Sequence, residues 1–332
     1  MSHVGVVRIS APGKIVLLGE YAVREGHEAL VAAIDRRVWL TARPILRDGS
    51  PPAGDPSPER AGLAPEIALA LRHAERRIGR VHAALQIDTT ALQRQGRKLG
   101  LGSSAAGAAV AAALPHAWAG RDVQCDEVRR LVLESAMHAH RAVSSRGSGV
   151  DVAASVLGGV LRYRRPGPDR WEAVPFDAHG GPVLRVVWTG SPVRTASMVD
   201  AVDAWAQRDS NGYRRCIEAL AEATHRALAA WRSPALFDAV ERHAAAMDEL
   251  GRGAGVPVLD ETTRRVRELA RRVGGAAKPS GAGGGDVVVA FLPGDEAARA
   301  FEEACRCESL HPLRCEMGAS GVRNEPPPND GS

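Results

Sequence analysis

Apolar residues dominate the first forty-five positions in short runs broken by single polar residues. The segments "VVRISA", "KIVLLGEYAV", "EALVAAI" and "RRVWLTARPIL" therefore predict strands. "RDGSPPAGDPSPERAG" interrupts this pattern and predicts a flexible surface loop. Helical spacing returns over Pro65–Arg77, "VHAALQIDTT" reads as a strand, and Ser103–Ala142 reads as two helices separated by "AGRD". Strands are expected at "VLRYRR" and "VLRVVWTG". Helices follow from about Arg194, through "FDAVERHAAAMDEL" and "ETTRRVRELARRV". The end of the chain predicts a strand at "DVVVAF", a helix at "DEAARAFEEAC", a strand near "LRCEM" and a disordered tail, "NEPPPNDGS". The order gives an α+β protein with two sheets, divided as residues 1–184, 185–323 and a tail over 324–332.

Size and composition narrow the class. A chain of 332 residues with 45% hydrophobic and 25% charged residues has enough material for two domains with their own cores. The apolar stretch "AAGAAVAAALPHAWAG" is alanine-rich and broken by proline, so it predicts a tightly packed helix rather than a membrane span. "MSHVGVVRIS" lacks the charged and apolar regions of a signal peptide, and the expectation is a cytoplasmic protein without membrane partners. Five scattered cysteines do not make a disulfide framework. Cys305, Cys307, His311 and Cys315 cluster, but without a standard zinc spacing, and the cysteines are read as reduced thiols. The net charge of +4 comes without basic runs interleaved with aromatics. It fits an enzyme of anionic substrates better than a nucleic-acid binder.

Three glycine-bearing stretches carry the candidate chemistry. In "GRKLGLGSSAAGAAV", Gly100 and Gly102 bare the backbone ahead of a small-residue helix. Ser103 and Ser104 stand where they could cap it or reach a phosphate-bound Mg²⁺. The alternative is a tight helix-packing turn. Gly100, Gly102 and Ala105 match a dinucleotide fingerprint, but no buried strand precedes them and no βαβ unit surrounds them, and no Walker A or protein-kinase signature occurs. In "APGKIVLLGEYAV", Lys14 stands at the mouth of a strand, placed to reach an anion or simply exposed. Glu20 could pair with it or approach a metal. In "SSRGSGVDVAASVLGGV", Asp151 opens an apolar helix, as a cap or as a catalytic carboxylate with Arg146 nearby for substrate charge. A further run, "AKPSGAGGGDVVVAF", packs four glycines and an alanine into Gly281–Gly285, which suggests close approach of a ligand to bare backbone. Lys278 and Ser280 are its candidate helpers, with Lys278 alternatively facing solvent.

Together these stretches resemble the GHMP kinases, the family of galactokinase, homoserine kinase, mevalonate kinase and phosphomevalonate kinase. The motifs at 11–23, 96–110 and 278–286 occur in the family's order. The resemblance implies an ATP-binding N-terminal domain like the second domain of ribosomal protein S5 and a ferredoxin-like C-terminal domain, with ATP and substrate between them. Four details lean towards the bacterial phosphomevalonate kinases: Tyr21 in "GEYAV", "GSGVDVAASVLGG", "VVWTGSPVRTASMVD", and Asp286 closing "SGAGGGD".

The resemblance implies Lys14 and Asp151 as the catalytic pair. It implies ATP contacts at Lys98, Gly100, Leu101, Gly102, Ser103 and Ser104, and Mg²⁺ on Ser104. Acceptor contacts are implied at Tyr21, Arg146, Ser148, Thr189, Gly190, Ser191 and Arg194, and at Ser280, Gly281, Ala282 and Gly283. Where mevalonate kinases carry a metal-binding glutamate eleven residues before the aspartate, this chain has His140, which leaves the metal to Ser104, phosphates and water. The expected reaction is ATP-dependent phosphorylation of (R)-5-phosphomevalonate in isoprenoid biosynthesis, by a monomer or homodimer. A mevalonate kinase, another small-molecule GHMP kinase and a non-catalytic sensor of the same fold are the alternatives. A phosphate monoester loses its second proton near pH 6, so this acceptor needs charge neutralisation more than a strong base.

Overall fold

The computed structural model describes residues 5–45, 62–144, 146–167, 170–190 and 195–327. The proline-rich stretch expected as a loop lies largely outside these residues. The chain falls into two compact units, and neither is a single stretch of sequence. The first comprises residues 1–14, 32–159 and 317–332, the second 15–31 and 160–316. The single cut expected near residue 185 does not describe this partition, because two long strands pass through both units. The four strand-like segments at the N-terminus are only two strands, β1 (Val7–Leu18) and β2 (Glu28–Pro44). Pro12 and Gly13 lie within β1, and Asp35–Arg37 within β2, without ending either strand.

The first unit places β3 (Ala83–Asp88) antiparallel to β2, with a small hairpin of β4 (Gln93–Arg94) and β5 (Arg97–Lys98) beyond it. Four helices belong to it: α1 (Pro65–Ile78), α2 (Ser103–Trp118), α3 (Asp126–Val143) and α4 (Val150–Leu157). Helix α2 is the centre of this unit. It is buried from Ala105 to Ala117, and α1, α3 and α4 all pack on it. Alanine suits that place because it is the best helix former and lets neighbouring helices approach closely. Ile67 of α1 sits over Gly107, where an added Cβ would stand 2.8 Å from its Cδ1.

His116, in the last turn of α2, is 1% exposed, and its pKa is pushed down from 6.5 to about 4 by burial and by Arg121 and Arg77. The folded chain thus refuses a proton that the unfolded chain accepts. This contribution is complete above about pH 6.5 and is lost as the pH falls towards 4. Thermal unfolding should accordingly show a fall in Tm across that window that is shallower in His116→Gln.

The start of the expected tail is ordered. Arg323–Glu325 form β12, antiparallel to β1 with Glu325 opposite Arg8 and Asn324 opposite Ile9. Its polar residues find specific partners. The Asn324 Oδ1 accepts from the Val123 amide at 3.0 Å, and the Ser10 hydroxyl donates to Glu325. The buried Arg37 guanidinium donates to the carbonyls of Ser320 and Gly321. Polar composition reads as disorder only until such partners are present.

In the second unit, β6 (Val160–Gly167) and β7 (Arg170–Pro175) form a hairpin. An antiparallel sheet follows, ordered β11-β8-β10-β9, from β8 (Val183–Trp188), β9 (Ala276–Pro279), β10 (Val287–Leu292) and β11 (His311–Leu313). Helices α5 (Thr195–Arg208), α6 (Ser210–Ala229), α7 (Ala235–Ala254), α8 (Glu261–Arg272) and α9 (Asp295–Cys307) complete it. Strand β10 reads "VVVAFL" because both faces are covered. Val288, Ala290 and Leu292 meet Val266, Leu269 and Phe301, while Phe291 turns its ring edge-on to Trp231. A second apolar cluster joins Trp205, Met247 and Leu250 to Tyr21 and Ala22, so the segment after β1 is wrapped in the packing of α5, α6 and α7.

Candidate active site

In the first unit, β5 leads into Leu99 and Leu101, both buried, with Gly100 between them at φ 76°. Gly102 is the N-cap of α2, at φ 82°. Its lack of a side chain is required, since a Cβ there would lie 2.9 Å from the Lys14 Cγ. The lysine stem lies against this turn. The Lys14 amide donates to the Leu101 carbonyl at 2.8 Å, and its Nζ reaches the Gly100 carbonyl at 3.4 Å. Ser103 and Ser104 are the first two residues of α2 rather than its cap, and no side chain caps the helix. Bare helical amides, two half-buried hydroxyls and an ammonium group thus share one turn, the arrangement that binds phosphate. Lys98, expected among the same contacts, is exposed on the hairpin.

Asp151 lies in the first turn of α4, behind Gly149 as N-cap, and accepts from the Val152 amide at 3.0 Å. Its helix packs on α2. Ser148 turns its hydroxyl back to the Val150 amide at 3.3 Å, and Arg146 is exposed in the preceding turn. His140 is buried under that turn. A Cβ on Gly147 would meet its Nε2 at 2.2 Å, and its Nδ1 is 3.6 Å from Glu66 Oε1. No sequence motif links Glu66, on α1, to His140, on α3. Among the described residues, no cluster of three or more His, Cys, Asp and Glu could hold a metal ion.

In the second unit, the glycine loop after β9 is held almost wholly by protein. The Ser280 hydroxyl accepts from the Val16 amide at 3.0 Å, and the Gly281 amide donates to Glu20 Oε1 at 3.3 Å. The Tyr21 hydroxyl donates to the Ala282 carbonyl at 2.6 Å, and the Gly284 amide to the Val258 carbonyl at 2.8 Å. Thr189 donates to the Asp286 carbonyl from its amide, at 3.0 Å, and from its hydroxyl. Gly190 follows at φ 83°, while Ser191 and Arg194 lie outside the described residues. At Gly283 the excluding neighbour is the fold itself, for a Cβ would stand 2.4 Å from the Val258 carbonyl oxygen.

Two readings of the sequence are corrected here. Glu20 pairs not with Lys14 but with Lys278, whose Nζ is 2.5 Å from its Oε1. Lys278 does not face solvent; it is 0% exposed. Beside the pair lies the fully buried His243, whose Nε2 accepts from the Gly19 amide at 3.1 Å and lies 3.6 Å from Glu20 Oε2. Burial raises the pKa of Glu20 against the pull of Lys278, lowers that of Lys278 against the pull of Glu20, and keeps His243 neutral. Tyr21 is buried, with its phenol pushed up by desolvation and its hydroxyl given to the loop rather than left open.

Comparison with known proteins places this arrangement. Residues 66–159 match the GHMP kinases N terminal domain, and residues 234–310 match the GHMP kinases C terminal domain. The chain is 30% identical to the phosphomevalonate kinase of Streptomyces sp. (strain CL190), over 85% of this chain and 88% of that one. It is 29% identical to the mevalonate kinase of Aeropyrum pernix, over 96% and 98%. Among solved structures, the Streptococcus pneumoniae phosphomevalonate kinase in complex with phosphomevalonate and AMPPNP superposes with a TM-score of 0.74 at 18% identity, covering 93% of this chain and 99% of that one. The chain belongs to the GHMP kinase family and has its two-domain fold of mixed helices and sheets. It is a kinase of that family. No helix among the described residues is long and apolar enough to cross a membrane.

Proposed function

We propose that this kinase transfers the γ-phosphoryl group of ATP to (R)-5-phosphomevalonate, giving (R)-5-diphosphomevalonate and ADP. The observation that carries the choice of acceptor is the 30% identity to the Streptomyces phosphomevalonate kinase over most of both chains. The turn at Gly100–Ser104 supports nucleotide binding, with the amides of α2 and the Lys14 ammonium set to meet phosphate oxygens. Mg²⁺ suits the oxygen donors here, as it usually keeps waters and substrate phosphates and needs no protein cage. Ser104 would hold it, and the ion would neutralise charge on the transferring group. A phosphate oxygen of the acceptor attacks the γ-phosphorus in line, and the bond to the β-γ bridging oxygen breaks. The attacking oxygen of the acceptor is already deprotonated above about pH 6. Asp151 then serves to orient Lys14, and the backbone of Ser280–Gly283 is a candidate phosphate contact of the second unit.

The Aeropyrum mevalonate kinase, matched over nearly all of both chains, keeps mevalonate as the second reading. Mass spectrometry of the product decides. Incubation with ATP and both acceptors should add one phosphoryl group to 5-phosphomevalonate and leave mevalonate unchanged; phosphorylation of mevalonate alone would overturn the proposal. Arg146, exposed beside the turn that leads to Asp151, is assigned to the acceptor's phosphate. Arg146→Ala should raise the acceptor KM by about tenfold, the loss of a charge-assisted hydrogen bond, with little change in the KM for ATP. An unchanged acceptor KM would remove Arg146 from that site.

A further inference from the structure

A fully buried ion pair is a poor device for stability, since well-packed apolar residues of similar volume usually do as well or better. Glu20 and Lys278 are 3% and 0% exposed, come from distant parts of the sequence, and are not needed by the proposed chemistry. Their geometry suggests another purpose. A single carboxylate oxygen, Glu20 Oε1, receives both the Lys278 ammonium and the Gly281 amide. The residues on either side of that amide are tied to the same stretch of chain, Ser280 by the Val16 amide and Ala282 by the Tyr21 hydroxyl. Tyr21 itself holds a positive φ of 61°, unusual for a residue with a side chain, at the point where its ring enters the apolar cluster. Lys278 belongs to the strand that delivers the loop, and Glu20 to the turn that receives it.

We infer that Glu20 and Lys278 are positioning residues, a buried charge pair that fixes the backbone of Ser280–Asp286 in the conformation that binds an anion. Lys278 opposes the burial that raises the Glu20 pKa, and an ionised carboxylate is a stronger acceptor for the Gly281 amide than a neutral one. The anion rests on the kinase reading above; the fixing of the loop does not.

Two variants test this. The double variant Glu20→Gln/Lys278→Met removes both charges and leaves none unpaired. Glu20→Asp keeps the charge but withdraws the carboxylate by one methylene. Hydrogen exchange at the Gly281–Gly285 amides, Tm, and the KM values for ATP and for whichever acceptor the wild type uses are measured together. The double variant should retain most of the wild-type Tm, while loop exchange accelerates and acceptor KM rises, each by about tenfold, and the KM for ATP changes by less than about twofold. A double variant with wild-type loop exchange and wild-type acceptor KM overturns the inference and leaves the pair a packing feature. If the double variant does not fold, Glu20→Asp decides: faster loop exchange supports the inference and wild-type exchange overturns it. If the wild type phosphorylates neither acceptor, the proposed function fails, while the exchange measurement still judges the positioning role.

Discussion

Asp151→Asn should lower kcat by about 10²–10³-fold while the affinity for ATP stays within about twofold. Asp151 stands in the first turn of α4, whereas the phosphate-binding amides belong to α2 and the neighbouring ammonium to Lys14. On the proposed reading, removing the carboxylate charge leaves the nucleotide its helix terminus and removes the group assigned to orient the lysine. The pH profile separates this role from that of a general base. With a phosphate acceptor, the acid limb of the rate follows the acceptor's own ionisation near pH 6, so it should persist in Asp151→Asn at reduced amplitude. Steady-state kinetics across pH, with a nucleotide titration, make the measurement. Near-normal turnover would remove Asp151 from the mechanism.

Lys278→Met should destabilise the second unit by about 3–5 kcal/mol, the cost of stranding one member of a buried ion pair. Glu20 would lose its one cationic partner among the described residues, and its neighbour His243 is kept neutral by burial. The pH dependence follows from the sign of the shift. Burial already raises the Glu20 pKa above 4.5, and without Lys278 only the backbone hydrogen bonds oppose it. The folded variant then binds a proton that the unfolded chain releases. Its stability is greatest below about pH 4.5 and is lost as the pH rises through the raised value. Thermal unfolding of variant and wild type at pH 5 and pH 8 should therefore show the larger deficit at pH 8. A deficit below about 1 kcal/mol, or one independent of pH, would show that Glu20 finds another partner or a route to water.

The elements were legible where one face or both carry apolar residues at a regular period. The strand "VVVAFL" and the helix after Ser103 fall where the pattern puts them, and Pro65–Ile78 opens at the expected proline. What the sequence hid were partners far apart along the chain. Glu20 and Lys278 are separated by 258 positions, and nothing near Lys278 distinguishes a buried ammonium from an exposed one. The nearer lysine, Lys14, was the natural partner to guess for Glu20. The glycines of 281–285 were legible as a demand for bare backbone, but part of that demand is internal. At Gly283 the Val258 carbonyl, rather than a ligand, excludes a side chain. Tyr21 is expected from the sequence to meet the acceptor, whereas in the structure its hydroxyl donates to the Ala282 carbonyl. Asn324 and Glu325 looked like tail because their partners, Val123 and Ser10, lie far back in the sequence.

The central claim is the identity of the acceptor, and the ratio of kcat/KM values for 5-phosphomevalonate and mevalonate tests it most directly. A site built to pair with a phosphate leaves its cations unsatisfied by an acceptor that lacks one. The account predicts a preference of about 10³-fold or more for 5-phosphomevalonate, measured as ADP release in a coupled assay. A ratio favouring mevalonate would contradict it.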